Sequence, residues 1–184
     1  MSTALTSVVA LLAVVPGILP VTRSASAEAE PAVHGQLAYH HGRAFDISQG
    51  WGSARSCVAM PRGMATQCFD SNAEADRYLA ESGTTTSAPR GARTTDDPFD
   101  CADGWLCLYE NRNGEGRRLI FNAEVWHNLA NWAFENKASS WRNNQDCDDD
   151  GMLGNGDAAL DFVLDGCGMA KEMSRDDWAA YVYG

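Results

Sequence analysis

The chain has 184 residues, with 14 basic and 25 acidic side chains and a net charge of −11. That balance excludes the basic footprint on which nucleic-acid binding depends. Six cysteines, an even number without CxxC pairs or Cys/His zinc spacing, point to disulfides in an oxidising setting.

Residues 1–27 carry the features of an export signal. Val8 to Leu19 is a 12-residue apolar run, too short to span a bilayer and interrupted by Pro16-Gly17. Ala25-Ser26-Ala27 supplies the small-residue pattern of a cleavage site, although no Lys or Arg precedes the run. Cleavage there removes one charge, Arg23, from the 14 basic residues and leaves 13 against 25 acidic ones. The mature chain is expected to be secreted, with no membrane association after cleavage.

Residues 28–35 form a short Ala- and Pro-containing linker, followed by a small module over 36–81. Gln36–Tyr39 and Ala44–Ile47 are expected strands around the turn His40-His41-Gly42-Arg43. Ser56–Met60 and Ala65–Phe69 flank Pro61-Arg62-Gly63 as a hairpin. Ser71 with Glu74 writes a capping box, and Ala75, Tyr78 and Leu79 share one helical face. The module is therefore a hairpin-plus-helix unit. Residues 82–99 are mostly Ser, Thr, Gly, Ala and Asp, too poor in large apolar groups to bury a core, and read as a flexible linker.

Residues 100–184 are expected to be mainly β. Trp105–Glu110, Arg117–Phe121, Ala138–Arg142 and Ala158–Leu164 are the strand candidates. Glu124–Phe134 is read as a short helical or irregular crossover, and Ser174 with Asp177 as the start of a terminal helix carrying Trp178 and Tyr181. Five of the six Trp residues lie in this region, and core packing is their ordinary role. Fifteen cysteine pairings are possible, and sequence proximity favours Cys57–Cys68, Cys101–Cys107 and Cys147–Cys167. Each such loop contributes about 2 to 3 kcal/mol in the chain-entropy account.

The stretch Cys101-x5-Cys107-Leu-Tyr-Glu-x3-Gly-x-Gly-Arg, followed by Asn136-Lys-Ala-Ser-Ser and Arg142-Asn143, resembles peptidase inhibitor family thirty-six. The resemblance covers 43 residues, Cys101 to Asn143. It implies a βγ-crystallin-like Greek-key domain over 100–184 and an inhibitor's function, with an extracellular protease as partner. A second Greek key is not legible after Asn143, where an acidic segment takes over. Asp146 to Gly184 holds ten acidic residues against Lys171 and Arg175, a field that favours cations or a basic partner surface.

Two stretches raise calcium as the one cofactor to consider. Asp146-x-Asp148-x-Asp150-Gly151, with Asp157 at the twelfth position, has the alternate carboxylates and central Gly of an EF-type loop. It lacks clear flanking helices and the terminal bidentate Glu, so a solvated acidic loop is the other reading. Glu135-Asn136-Lys137-Ala138-Ser139-Ser140 approximates a crystallin-type calcium stretch, and a Ser-Ser strand closing the Greek key is the reading preferred over it.

No Gly-x-Ser-x-Gly elbow, His-Glu-x-x-His helix or P-loop occurs in the chain. Of the four histidines, His34 falls in a linker, His40 and His41 in a turn, and His127 beside Trp126 as an edge-packing residue. The expectation is a non-enzymatic, secreted inhibitor that blocks a protease sterically, through the Asn111–Gly116 turn or the Asp146–Asp157 loop. The rival is a non-inhibitory extracellular domain of the same fold that binds calcium or another ligand.

Overall fold

The computed structural model describes residues 35–61, 64–83, 99–157 and 161–184. The expected signal peptide, residues 28–34 of the first expected linker, Arg62-Gly63, 84–98 of the second and 158–160 fall outside the described residues.

Strands β1 (Leu37–His40) and β2 (Arg43–Asp46) form a hairpin around His41 and Gly42, both with positive φ (50° and 71°). Glycine accepts that conformation without strain, and histidine is among the few side chains that also visit it. Strands β3 (Ser56–Val58) and β4 (Thr66–Phe69) pair antiparallel in a register that sets Cys57 against Cys68, and the two are disulfide-bonded. Helix α1 (Asn72–Glu81) starts where the capping box predicts: Ser71 Oγ accepts from the Glu74 N–H at 3.2 Å. Glu74 Oε2 reaches back to the N–H of Asp70 at 3.1 Å. Leu79 and Ala75 are fully buried and Tyr78 packs beside them.

The rest of the chain forms two groups of four strands. The first comprises β5 (Leu106–Tyr109), β6 (Arg118–Phe121), β7 (Trp126–Asn128) and β8 (Ser140–Asn143). The second comprises β9 (Gly151–Gly154), β10 (Phe162–Leu164), β11 (Met169–Ala170) and β12 (Tyr181–Tyr183). Each group lends its third strand to the other's sheet. One sheet contains β11-β8-β5-β6 in that order and the other β10-β9-β12-β7. This reciprocal exchange makes two interlocked Greek keys, the βγ-crystallin-like arrangement that the resemblance implies. The second key, illegible in the sequence, is therefore present in full.

Two further expectations are corrected. The terminal helix at Ser174–Tyr181 does not form: Asp177 has φ 51°, its N–H donates to Ala138 O at 3.2 Å, and the chain goes on into β12. A left-handed residue cannot sit in the first turn of a right-handed helix. The Glu124–Phe134 crossover is part strand, β7, and part 3-10 turn, Leu129–Trp132, with Asn128 Oδ1 capping the turn at the Ala130 N–H.

The largest departure concerns organisation. Residues 36–81 and 100–184 were expected as two modules on a tether, but their strands share one sheet. Strand β3 runs parallel to β6, pairing Ser56 with Arg118 and Val58 with Ile120. The module thereby extends the first sheet to eight strands, β11-β8-β5-β6-β3-β4-β1-β2. A parallel strand added at β6 removes an open edge that would otherwise template pairing with another chain.

Burial follows from that arrangement. Leu106, Leu108, Leu119 and Phe121 point to the core between the two sheets, where they meet Leu153, Leu164 and Val182. Cys107, Tyr109 and Ile120 alternate to the opposite face, where Val58, Ala75, Leu79, Phe99 and Trp105 cover them. Strands buried on both faces read as continuous apolar runs, which is why Leu-Cys-Leu-Tyr is legible as a strand. Phe99, assigned to the flexible linker by composition, is 2 % exposed and stacks on Tyr109.

Arg118 is the polar key of this junction. It is fully buried and donates to Ser56 Oγ (3.0 Å), to both Asp76 oxygens (2.8 and 3.3 Å) and to the carbonyls of Asn72 (2.9 Å) and Asp100 (2.7 Å). A planar guanidinium with five donors is the side chain that such a set of acceptors requires. Two tryptophans tie the opposite face: Trp51 Nε1 donates to Trp132 O, and Trp132 Nε1 to Thr66 Oγ1 at 2.9 Å.

Candidate binding face

The segment after β5 turns sharply through Asn111–Gly116. Asn113, Gly114 and Gly116 have φ of 59°, 76° and 78°. At Gly116 a Cβ would come within 2.8 Å of Asn111 Nδ2 and 3.0 Å of Glu110 Cβ, so glycine is needed there for space as well as for conformation. Ser140, at the start of β8, clamps the turn. Its hydroxyl accepts from the Gly114 N–H at 3.1 Å and donates to Asn111 O at 2.7 Å. The Ser-Ser stretch thus closes the Greek key, as the sequence reading preferred.

Three more contacts hold the turn. Arg117 is bidentate on Glu110 across its base, at 2.6 and 3.0 Å. Those hydrogen bonds hold the Glu110 carboxyl below the usual carboxylate range, against the opposing effect of burial. The Asn113 N–H donates to Lys171 O at 2.8 Å, and Arg112 reaches Glu172 at 2.8 Å and Asp176 at 3.5 Å. The first key's turn is thereby docked on the second key. Asn111, Arg112, Asn113 and Glu115 remain exposed. A polar cleft of about 550 Å³ opens alongside, with Arg112 and Lys137 facing Glu110, Glu115, Asp176 and Asp177.

The second proposed segment is built differently. Asp146, Asp148 and Asp150 are exposed, and the chain after Asp150 continues into β9. Asp150 Oδ1 accepts from the Gly166 N–H at 2.7 Å, Asp157 lies in an Asx turn on Asn155, and Cys147–Cys167 pins the loop. Among the described residues, three or more His, Cys, Asp or Glu ligand atoms converge within 4.8 Å at one place, and none of these aspartates is in it. Within the stretch that holds Asp146, Asp148, Asp150 and Asp157, β9 is paired on both edges, with β10 and β12.

Asp149, which the motif passes over, is the perturbed carboxyl of this loop. Burial first, and then the hydrogen bond and charge of Glu124, push it up to about 6. Glu124 also accepts from Tyr183 Oη at 2.9 Å. No sequence spacing connects Glu124, Asp149 and Tyr183; the exchange of β7 into the second sheet brings them together. His127 packs on Phe121 and Trp132, and burial lowers its pKa, against the smaller opposing effect of a backbone hydrogen bond at Ala123. Cys57–Cys68, Cys101–Cys107 and Cys147–Cys167 are the three bridges.

The region that builds β5 to β8, the turn and its Ser140 clamp is similar to a known family. Residues 94–149 match Peptidase inhibitor family I36. The match takes in Cys101, Cys107, the turn and the first four residues of the acidic loop, and ends before β9. Among solved structures, the chain is similar to the NMR structure of Hahellin, a beta-gamma crystallin, at 19 % identity and a TM-score of 0.36, over 45 % of this chain and 91 % of that one. No curated protein matches the chain. Among the described residues, no helix is long and apolar enough to cross a membrane.

Proposed function

We propose that this protein is a secreted inhibitor of an extracellular peptidase, acting by steric occlusion with the Asn111–Gly116 turn. The observation that carries the reading is the position of the inhibitor-family match, which takes in both the turn and the Ser140 that clamps it. The physical form of the turn supports it. Four exposed side chains stand on a backbone held by hydrogen bonds from both keys, so little conformational entropy remains to be lost on binding.

The turn also suits occlusion better than substrate-like insertion. Proteins that accept an extended peptide add it as a strand, by main-chain pairing. Asn113, Gly114 and Gly116, all at positive φ, cannot present such a strand, so the turn would cap a cleft without offering a bond for cleavage. The disulfide Cys101–Cys107 braces β5 directly before it. Three bridges and the apolar run of residues 8–19 support an extracellular setting.

The test is a panel of metallo- and serine proteases incubated with the mature protein, with and without Ca²⁺. Stoichiometric loss of activity in at least one protease, with the inhibitor intact by mass, is expected. Undiminished activity across the panel at large inhibitor excess would overturn the reading. A calcium-dependent rise in melting temperature without inhibition would support the rival ligand-binding role instead.

A further inference from the structure

The β1–β2 turn and the end of β4 bring together three donor atoms that the inhibitor reading does not use. His40 Nε2 lies 2.8 Å from Asp70 Oδ1, and His41 Nε2 lies 2.9 Å from Asp70 Oδ2. The three ligand atoms all fall within 4.8 Å of one another, and among the described residues they are the single such group. We propose that His40, His41 and Asp70 form a binding site for one Zn²⁺ ion.

The chemistry of the donors selects the metal. Two imidazole nitrogens and one carboxylate oxygen are the ligand types of a three-ligand zinc site that leaves its fourth position open. Zinc takes such ligands at about 2.0–2.2 Å, which puts neighbouring donors about 3.4 Å apart in a tetrahedron. The present contacts are roughly half an ångström shorter than that, because they are hydrogen bonds through a ring proton. Binding the ion would displace those ring protons.

The fold holds the ligands in position. His40 ends β1, whose parallel register places it opposite Cys68, and that residue is tied to Cys57 by a disulfide. Asp70 follows β4 immediately, and its N–H is fixed by Glu74 Oε2. His41 occupies the turn at φ 50°, which carries its ring over that of His40 with centroids 4.2 Å apart. A cavity of about 250 Å³ opens on the group, bordered by Tyr39, Gln67, Phe69 and Glu74, and offers the fourth position to water or to a partner's side chain. His41 and Asp70 are exposed, so the ion enters without rearrangement of the core.

The experiment is zinc titration of the untagged, oxidised protein by calorimetry, with Co²⁺ absorption as the spectroscopic probe. One Zn²⁺ per chain is expected to bind, with a melting temperature about 5 °C higher at a hundredfold excess over Kd. His41→Asn is the decisive variant, because asparagine tolerates the left-handed turn and so preserves the fold. It should weaken binding at least tenfold, as should Asp70→Asn. Ring nitrogen shifts of His40 and His41 in the wild-type protein on adding zinc give a readout independent of any variant. Absence of saturable binding at 100 µM zinc would overturn the proposal, as would a His41→Asn protein that binds like wild type. Neither result bears on the proposed protease inhibition, which rests on the turn between β5 and β6 and not on the β1–β2 turn.

Discussion

The two Greek keys have the same topology and very different sequences. In the first, β5, β6 and β8 have four residues each and every position is buried. In the second, β10 to β12 have two or three residues with half-exposed or exposed positions among them. In the first key β5 and β6 are covered on both faces, by the second sheet and by α1 with its module, so apolar residues run on successive positions and a polar one such as Arg118 is buried only with partners. The second key has one covered face, and its backbone is held by neighbours: β9 between β10 and β12, and the acidic loop by Cys147–Cys167. The lesson is that the same fold is encoded in side chains in one half and imposed by pairing and a covalent link in the other.

Perturbing the junction under the first key should have the largest effect. Arg118→Ala removes the buried partner of Asp76 and one donor from each of the Asn72 and Asp100 carbonyls, at an expected cost of about 3–5 kcal/mol in urea unfolding. A loss below about 1 kcal/mol would mean that the added module and the crystallin-like half are energetically separate after all. Removing Cys147 and Cys167 together should cost about 3 kcal/mol for a 20-residue separation. The sharper readout is hydrogen exchange: amides of β9 and β10 should lose protection before those of β5 and β6. Uniform loss across both keys would erase the contrast.

Ser140→Ala tests the contact by which the first key holds its own turn. With Gly114 N–H and Asn111 O both left without the hydroxyl, about 1–2 kcal/mol should be lost. Under the proposed function, inhibition should weaken by more than the stability loss explains. Unchanged inhibition would move the binding segment elsewhere.

The smallest effect belongs to the second key. The folded pKa of Asp149, about 6, stands above its ordinary value of 3.8, so ionisation of this group opposes folding. That penalty is absent below about pH 4, grows between about 4 and 6, and is complete at pH 7. Asp149→Asn should therefore raise stability at pH 7 by roughly 1 kcal/mol or less, since Asp149 is partly solvated, or about 2–4 °C in melting temperature. The gain should vanish near pH 4. A gain of equal size at pH 4 and pH 7 would assign it to packing.

Much of the fold was legible where local chemistry decides it. The capping box at Ser71 and Glu74 set the start of α1, and Leu-Cys-Leu-Tyr and Arg-Leu-Ile-Phe marked β5 and β6 by their apolar runs. Cysteine proximity indicated the three bridges. The candidate face was half legible: the Gly-x-Gly turn and the Ser-Ser strand stood out, but their hydrogen bonds spanning 26 and 29 residues did not. The alternate aspartates of the acidic stretch were legible too, but not that residues 151–154 within it pair as a strand of the second sheet.

Sequence alone determined the strongly apolar strands and the acidity of the C-terminal half, and favoured the three covalent staples, because each depends on residues close in the chain. Tertiary structure decided that the small module is not a separate bead, that the C-terminal Tyr-Val-Tyr is a strand, and that His40 and His41 face Asp70. Those outcomes depend on strand exchange and on pairing between residues tens of positions apart. Such pairing is a choice among edges that no local pattern contains.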